Sequence, residues 1–311
     1  MASVNITTNY NGEVADTLIH LTKLGNQTVE KGTVYIQAGV QDKLAMPRFN
    51  ASLNQLTDRV ETPVTASDSY TYDERTLEPL AMMWYDTVNP THFMDVWEKF
   101  QPNGGGMVDF QDNPVITSAI MEETMKSIGG QVSNIMWMGD VAAGGGSPLR
   151  FFDGFVKILT NDGGIIPNPK GAITVANVLT IMGDCVAAIP DSVYSDPNLI
   201  INMGTGAYRM YEQASRNLDF KGAQITENGE SRFAGFEVRH YSGLANDNIV
   251  IAKCTAGKDS NFWGGIAVDG DAENVKIARY RPESELFIVK ALFQYAVQVG
   301  NPTECVIYLP A

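Results

Sequence analysis

Apolar positions along this chain change rhythm several times, and each change predicts an element. Val14, Leu18, Leu21 and Leu24 recur at helical spacing and predict a short amphipathic helix. From Gly32 the rhythm shifts to Thr33-Val34-Tyr35-Ile36-Gln37, a strand-like piece. Residues 43–49 and 77–86 are two semi-apolar runs, separated by polar sequence such as Thr65-Ala66-Ser67-Asp68-Ser69. They predict a projecting ribbon: a strand out, a polar tip, a strand back. A two-stranded ribbon is marginal in isolation, so this one is expected to rest on another surface. Connections usually run ~4–6 residues, and a core-poor stretch this long is either functional or disordered.

Asp112-Asn113-Pro114 predicts a helix start, with Asn113 as cap and Pro114 at the first helical position, where its missing N–H costs nothing. Ile116, Ile120, Thr124 and Ile128 mark one face, and Met121, Met125, Val132 and Met136 fill adjacent positions. The helix is expected to reach Met136 and to cross Gly129-Gly130, at ~1 kcal/mol per Gly relative to Ala. Gly144-Gly145-Gly146 predicts a connector, and Phe151-Phe152-Asp153-Gly154-Phe155 a packing knot and turn. Thr174 is expected to cap a helix that buries Val175, Val178, Leu179, Met182 and Val186. Residues 199–203, 236–238, 249–252, 275–280 and 305–309 read as strands, and 207–214 as a helix. Residues 287–299 are a long apolar-rich run. No tandem repeat and no compositional linker cuts the chain.

Composition narrows the class. At roughly 100–200 residues per domain, 311 residues suggest two packed domains, or one with large extensions. Hydrophobic residues make up 44%, enough for a sizeable core, whereas charged residues make up only 19%, below the usual ~25%. The net charge of -14 disfavours a protein that grips phosphates through a basic stripe. The densest basic patch is Lys276, Arg279 and Arg281, near Lys290. Cys185, Cys254 and Cys305 form no CxxC pair and no disulfide framework, and each is expected to be a buried, inert thiol. The first residues do not read as a signal peptide, and no apolar run is long enough for a membrane helix.

Reactive groups do not gather. Gly204-Thr205-Gly206 stands between a strand and a helix, as a dinucleotide fingerprint would, but Arg209 occupies the third glycine position. Asp269, Asp271 and Glu273 alternate on a turn, yet Asn274 stands where a calcium loop needs glycine. His20, His92 and His240 lack i+4 partners, Ser147 and Ser192 lack a nucleophile elbow, and Glu122-Glu123 with Lys126 reads as a solvated helix face. No catalytic, cofactor-binding or metal residue is therefore assigned, and no cofactor. Trp84, Trp97, Trp137 and Trp263 are core candidates. Trp84, on the ribbon, is equally a candidate anchor for a neighbouring subunit.

The order of these segments resembles the major capsid protein of tailed bacteriophages, whose shell fold is shared with encapsulins. The resemblance covers nearly the whole chain and rests on pattern. It implies an α+β fold with a polar N-terminal arm (1–39), an extended hairpin loop (40–90) and a peripheral domain carrying the long spine helix from Asn113-Pro114 (91–160). An axial domain (161–272) would include Phe233-Ala234-Gly235-Phe236-Glu237-Val238, and peripheral return strands (273–311) would close the chain. It further implies a non-enzymatic subunit that assembles with copies of itself in pentamers and hexamers into an icosahedral virion, in the cytoplasm of a host bacterium. Double-stranded DNA would be enclosed without sequence-specific contact, with scaffold, portal and decoration proteins as further partners and no membrane. Some members crosslink a loop lysine to an asparagine on a neighbour. Lys43, the one lysine between residues 40 and 90, sits at the ribbon's base, which argues against that chemistry here. The alternatives are an encapsulin-like compartment shell, a soluble α/β nucleotide-binding enzyme built on the Gly204 turn, and a tail or decoration protein.

Overall fold

One long strand and one long helix set the frame for everything else. The computed structural model describes residues 26–51, 70–88, 114–167, 171–217, 231–267, 276–279 and 286–310. In chain order the elements begin with α1 (Gln27–Glu30), β1 (Tyr35–Gln37), β2 (Leu44–Ala51), β3 (Tyr70–Leu77), β4 (Leu80–Val88) and α2 (Pro114–Met138). There follow α3 (Phe155–Asn161), α4 (Val178–Ala187), β5 (Leu199–Gly204), α5 (Thr205–Arg216), β6 (Arg232–Phe233) and β7 (Phe236–Tyr241). The last are β8 (Ile249–Lys253), β9 (Phe262–Ile266), β10 (Lys276–Arg279), β11 (Phe287–Val299) and β12 (Val306–Tyr308).

The apolar run 287–299 is the strand β11, the axis of the first sheet. Its residues 287–295 pair antiparallel with β4 and its residues 295–299 with β9. Tyr295 pairs with both Leu80 and Ile266, so β4 and β9 lie on opposite edges. β10 pairs antiparallel with the start of β11, and β1 pairs parallel with β9. The second sheet runs β12-β8-β5-β7-β6. All six residues of β5 are buried, as expected for a strand covered on both faces.

Two cores result, one on each face of the second sheet. Ile200 and Val250 join the core beneath α2 and the first sheet, whereas Ile201, Ile249 and Ile251 join Val178, Ile181, Met182 and Val186 of α4. Alternation along a strand explains the division. In the first core Trp137 is fully buried, with ring centroids 5.4 Å from Phe155, 5.3 Å from Tyr241 and 5.5 Å from Phe262. That one side chain joins α2, α3, β7 and β9. The expected aromatic-glycine knot is real and has a steric cause. The Gly154 N–H donates to the Gly139 carbonyl at 2.8 Å, and a Cβ on Gly154 would lie 2.7 Å from the Trp137 carbonyl oxygen.

Several expectations need correction. The ribbon's returning strand is Tyr70–Leu77, not residues 77–86, because β2 pairs with β3 from Leu44↔Leu77 to Ala51↔Tyr70. Residues 80–88 belong instead to the first sheet, where Met82 is buried, so that part of the 40–90 stretch does find a core in its own chain. Helix α4 starts at Val178. Thr174 contributes its carbonyl to the N–H groups of Asn177 and Val178, while the Asn177 side chain folds back onto the Thr174 N–H at 2.7 Å. Val306–Tyr308 pairs with β8, so the last strand sits in the second sheet and not beside β11. The strand β9 and the helix α3 had no counterpart in the sequence reading. The helix expected around Val14–Leu24 and the Asn113 cap lie outside the described residues.

Candidate assembly interface

The ribbon β2–β3 has two unlike faces, set by its register. Leu44, Met46 and Arg48 stand opposite Leu77, Arg75 and Asp73, and this face is fastened to the rest of the chain. Leu77 is fully buried and packs over Gly265, and Met46 is buried. Arg75 Nη1 donates to Asp162 Oδ2 at 2.8 Å and to Gln298 Oε1 at 3.0 Å, and Gln298 Nε2 returns a bond to the Thr76 carbonyl at 2.9 Å. Arg48 grips the Asp73 carboxylate with two nitrogens and reaches the Gly300 carbonyl at 3.1 Å. The Arg48 guanidinium holds the Asp73 carboxyl below its usual range.

On the other face Phe49 stands opposite Tyr72, and they are 67% and 70% exposed. Ala45 and Pro47 share this face and are exposed too. Singly exposed apolar residues are ordinary, but two large rings in register on a ribbon make a candidate contact patch. Met83, Tyr85 and Leu292 form a second exposed group on the outer face of the first sheet, with Met83 paired to Leu292 across β4 and β11. Lys43 closes the ribbon's base by an ion pair to Glu78 at 2.6 Å, both half-exposed. An exposed pair of this kind contributes little to stability.

The candidate chemistry does not converge. The Gly204-Thr205-Gly206 turn is closed by its own chain. Gly206 N–H donates to Asn246 Oδ1 at 3.1 Å, Ala207 N–H to the Asn246 carbonyl at 2.7 Å, and Gly204 N–H to the Asn248 carbonyl at 3.1 Å. A Cβ on Gly204 would lie 2.0 Å from the Ala245 carbonyl oxygen. The glycines therefore admit residues 245–248, and the N–H groups of Gly204, Gly206 and Ala207 are already used. His240 stacks on Tyr208 with centroids 4.5 Å apart, and burial, with Lys31 nearby, holds its imidazole below the usual range. Ser147 accepts the Leu149 N–H in a turn. All three thiols are buried, and burial pushes Cys185 and Cys254 up to about 12. Among the described residues no three His, Cys, Asp or Glu side chains are placed to hold a metal ion, and no helix is long and apolar enough to cross a membrane. His20, His92, Trp97, Arg281, the acidic turn 269–273 and the side chains of Glu122 and Glu123 lie outside the described residues.

Trp84 is half-buried against the first core, Trp263 donates its indole N–H to the Ser260 carbonyl at 2.8 Å, and Trp137 forms the central node. Sequence reasoning missed Phe49 and Tyr72. Their signal was the alternation Leu44-Ala45-Met46-Pro47-Arg48-Phe49 set against Tyr70-Thr71-Tyr72, hidden because residues 73–76 are polar.

No protein-family model matches the chain, and no curated protein does. Solved structures do. A chain of the satellite phage P4 procapsid, a structure that includes the size determination (Sid) protein, matches with a TM-score of 0.58 at 10% identity, over 94% of this chain and 97% of that one. The capsid of a native GTA particle matches with a TM-score of 0.58 at 10% identity, over 99% and 94%. A virus-like particle from Pyrococcus furiosus matches with a TM-score of 0.54 at 9% identity, over 94% and 96%. These likenesses span almost the full length of both partners, and they define the class: an α+β chain with the shell fold of capsid-forming proteins. At such identities the likeness establishes the fold alone.

Proposed function

We infer that this chain is a self-assembling shell subunit, a major capsid protein whose copies close into an icosahedral phage head around DNA. One observation carries the reading: a ribbon bolted to its own chain on one face presents Phe49 and Tyr72 to solvent on the other. Large aromatics bury ~150–250 Å² each when covered, and specific interfaces bury ~1,200–2,000 Å² in total, so this pair is a fitting centre for one contact among several. Many modest contacts suffice in a closed assembly. The net charge of -14 suits a wall that encloses a polyanion without gripping it.

In this reading residues 1–39 are the arm, and the projecting part of the 40–90 loop is Leu44–Leu77. The spine helix is Pro114–Met138, and the second sheet with α4 and α5 is the axial part, which meets other copies around pentamer and hexamer axes. Scaffold, portal and decoration proteins are further partners. Assembly takes place in a bacterial cytoplasm and ends in the virion. Electron microscopy of the purified protein across concentration tests the proposal. Closed particles or flat hexameric sheets are expected, and a protein that stays monomeric at every concentration refutes it. A second reading, a compartment shell with protein cargo, draws on the likeness to the virus-like particle. The contents of particles purified from producing cells, nucleic acid or protein, separate the two.

A further inference from the structure

One edge of the first sheet is open. β4 pairs with β11 along one side, and no described strand pairs with its other side. It is nine residues long, and Asp86 is its one charge. A free strand edge is a template for pairing with another chain, and folded proteins blunt such edges with proline, with charge or by keeping them short. The other free edges among the described residues follow that rule. β1, β6, β10 and β12 end their sheets and have three, two, four and three residues. β2 carries Pro47 and Arg48, and β3 carries Asp73-Glu74-Arg75. From Leu80 to Tyr85, β4 has no such device, and Leu80, Met83 and Tyr85 are exposed besides.

One bond shows which backbone groups face outward. The Thr87 N–H is held by the Asp86 carboxylate at 2.8 Å, which turns it away from β11. Alternate residues of a strand direct their N–H and C=O groups to the same side, so Ala81, Met83 and Tyr85 present theirs outward too. A partner for this edge must bring an open apolar edge of its own. Within the described chain, β4 of a second copy is the one long, unblunted edge that does so. Self-pairing is antiparallel about a twofold axis, and it also fixes a register. With Met83 opposite Met83, Ala81 faces Tyr85, and all three outward residues meet outward partners. Thr87, whose N–H is already taken, then falls opposite Pro79, which has no N–H to give. Each Asp86 falls opposite Leu80, which keeps the two carboxylates about 20 Å apart along the strands. Registers centred on Trp84 or Tyr85 set Thr87 against Ala81 or Met83 and lose ladder bonds, because the Thr87 donor is occupied.

We propose that β4 of one copy pairs with β4 of a second, antiparallel and centred on Met83, so that two first sheets join into one across a twofold axis. The proposal rests on the self-assembly reading above. Main-chain bonds supply the attraction, and Met83 and Tyr85 are covered by the same residues of the other copy.

Particles of Met83→Cys, of Tyr85→Cys, and of an equal mixture of Ala81→Cys and Tyr85→Cys copies are gently oxidised and run on a denaturing gel. Bonded antiparallel pairs sit ~5.5 Å apart at Cα, within disulfide reach, and the native thiols are buried. Disulfide dimers are expected from Met83→Cys and from the mixture. Tyr85→Cys alone, with its two copies about 13 Å apart, should stay monomeric on the gel. Particles that give no Met83→Cys dimers, or as many from Tyr85→Cys alone, overturn the pairing and leave the shell reading intact. A wild-type measurement guards against a disturbed edge. Hydrogen exchange at the Ala81, Met83 and Tyr85 amides should slow about tenfold or more from the dispersed subunit to the particle. Equal exchange in the two overturns the pairing, whatever the variants do. Met83→Cys dimers in a solution that never forms particles keep the pairing and overturn the shell reading. Neither dimers nor particles overturns both.

Discussion

Trp137 and Tyr72 are both large aromatic side chains on regular elements, and the chain treats them in opposite ways. Trp137 is sealed inside, touching three other rings and donating its N–H to Thr28. Tyr72 lies opposite Phe49 on the ribbon face turned away from the Arg48 and Arg75 anchors, and it is 70% exposed. The helix–sheet node uses its aromatic area within the subunit. The ribbon holds most of its aromatic area at a fixed place on the surface. Damage at the first region should therefore appear in folding, and damage at the second in association.

The strongest way to break that contrast is Trp137→Ala. Truncating a fully buried aromatic costs about 3–5 kcal/mol, and here it also removes the indole donor from the buried Thr28 hydroxyl. Against a typical total of ~5–15 kcal/mol, the variant should unfold at much lower urea, measured on the dispersed subunit. A loss below ~1 kcal/mol would show that the node does not hold α2, α3, β7 and β9 together.

The thiols sharpen the same contrast at smaller scale, because all three lie in the sealed regions. Burial raises Cys185 and Cys254 to about 12 and Cys305 well above its ordinary value. Below pH ~8.5 both folded and unfolded chains carry protonated thiols, so stability does not respond to pH through them. Above that, the unfolded chain ionises first and stability falls, until the folded Cys185 and Cys254 thiols themselves ionise near pH 12. Each thiol should account for about 1 kcal/mol of the fall by pH 9.5, read from urea curves at pH 7.5 and 9.5. Cys185→Ala should make the fall shallower by that amount. An unchanged slope would mean that Cys185 is not shielded in solution.

Part of this contrast was legible in the sequence and part was not. The helix from Pro114 showed because a proline start and an apolar repeat are local signals, and α2 indeed runs to Met138. The strands at 199–203 and 249–252 showed because they are continuous apolar runs. The Trp137 node did not, since its partners Thr28 and Tyr241 lie more than a hundred residues away and nothing local marks them. The ribbon was half legible. A projection was expected, but Asp73, Glu74 and Arg75 disguised β3, whose polarity makes sense only beside Arg48, Asp162 and Gln298. The Gly204 turn resembled a nucleotide site because strand, glycine and helix are local, whereas Asn246, which occupies the helix start, is forty residues on.

Tyr72→Ser makes the smallest change in the subunit and tests the contrast most directly. Its ring is exposed, and surface substitutions away from special features usually stay within about ±0.5 kcal/mol, so the urea midpoint of the dispersed subunit should barely move. Assembly should respond instead. If the ring is buried against another copy, losing even ~1.4 kcal/mol at each contact raises the concentration needed for assembly about tenfold. Phe49→Ser should act in the same direction, and the double variant should be weaker still, since the two rings are in register and share one patch. Sedimentation of wild type and variants over a concentration series measures both quantities in one sample. A variant that assembles at the wild-type concentration would mean the ring faces solvent in the shell too, and the ribbon's contact would then have to lie elsewhere along Leu44–Leu77. A variant that fails to fold would place Tyr72 in the same class as Trp137, and the difference between the two regions would vanish.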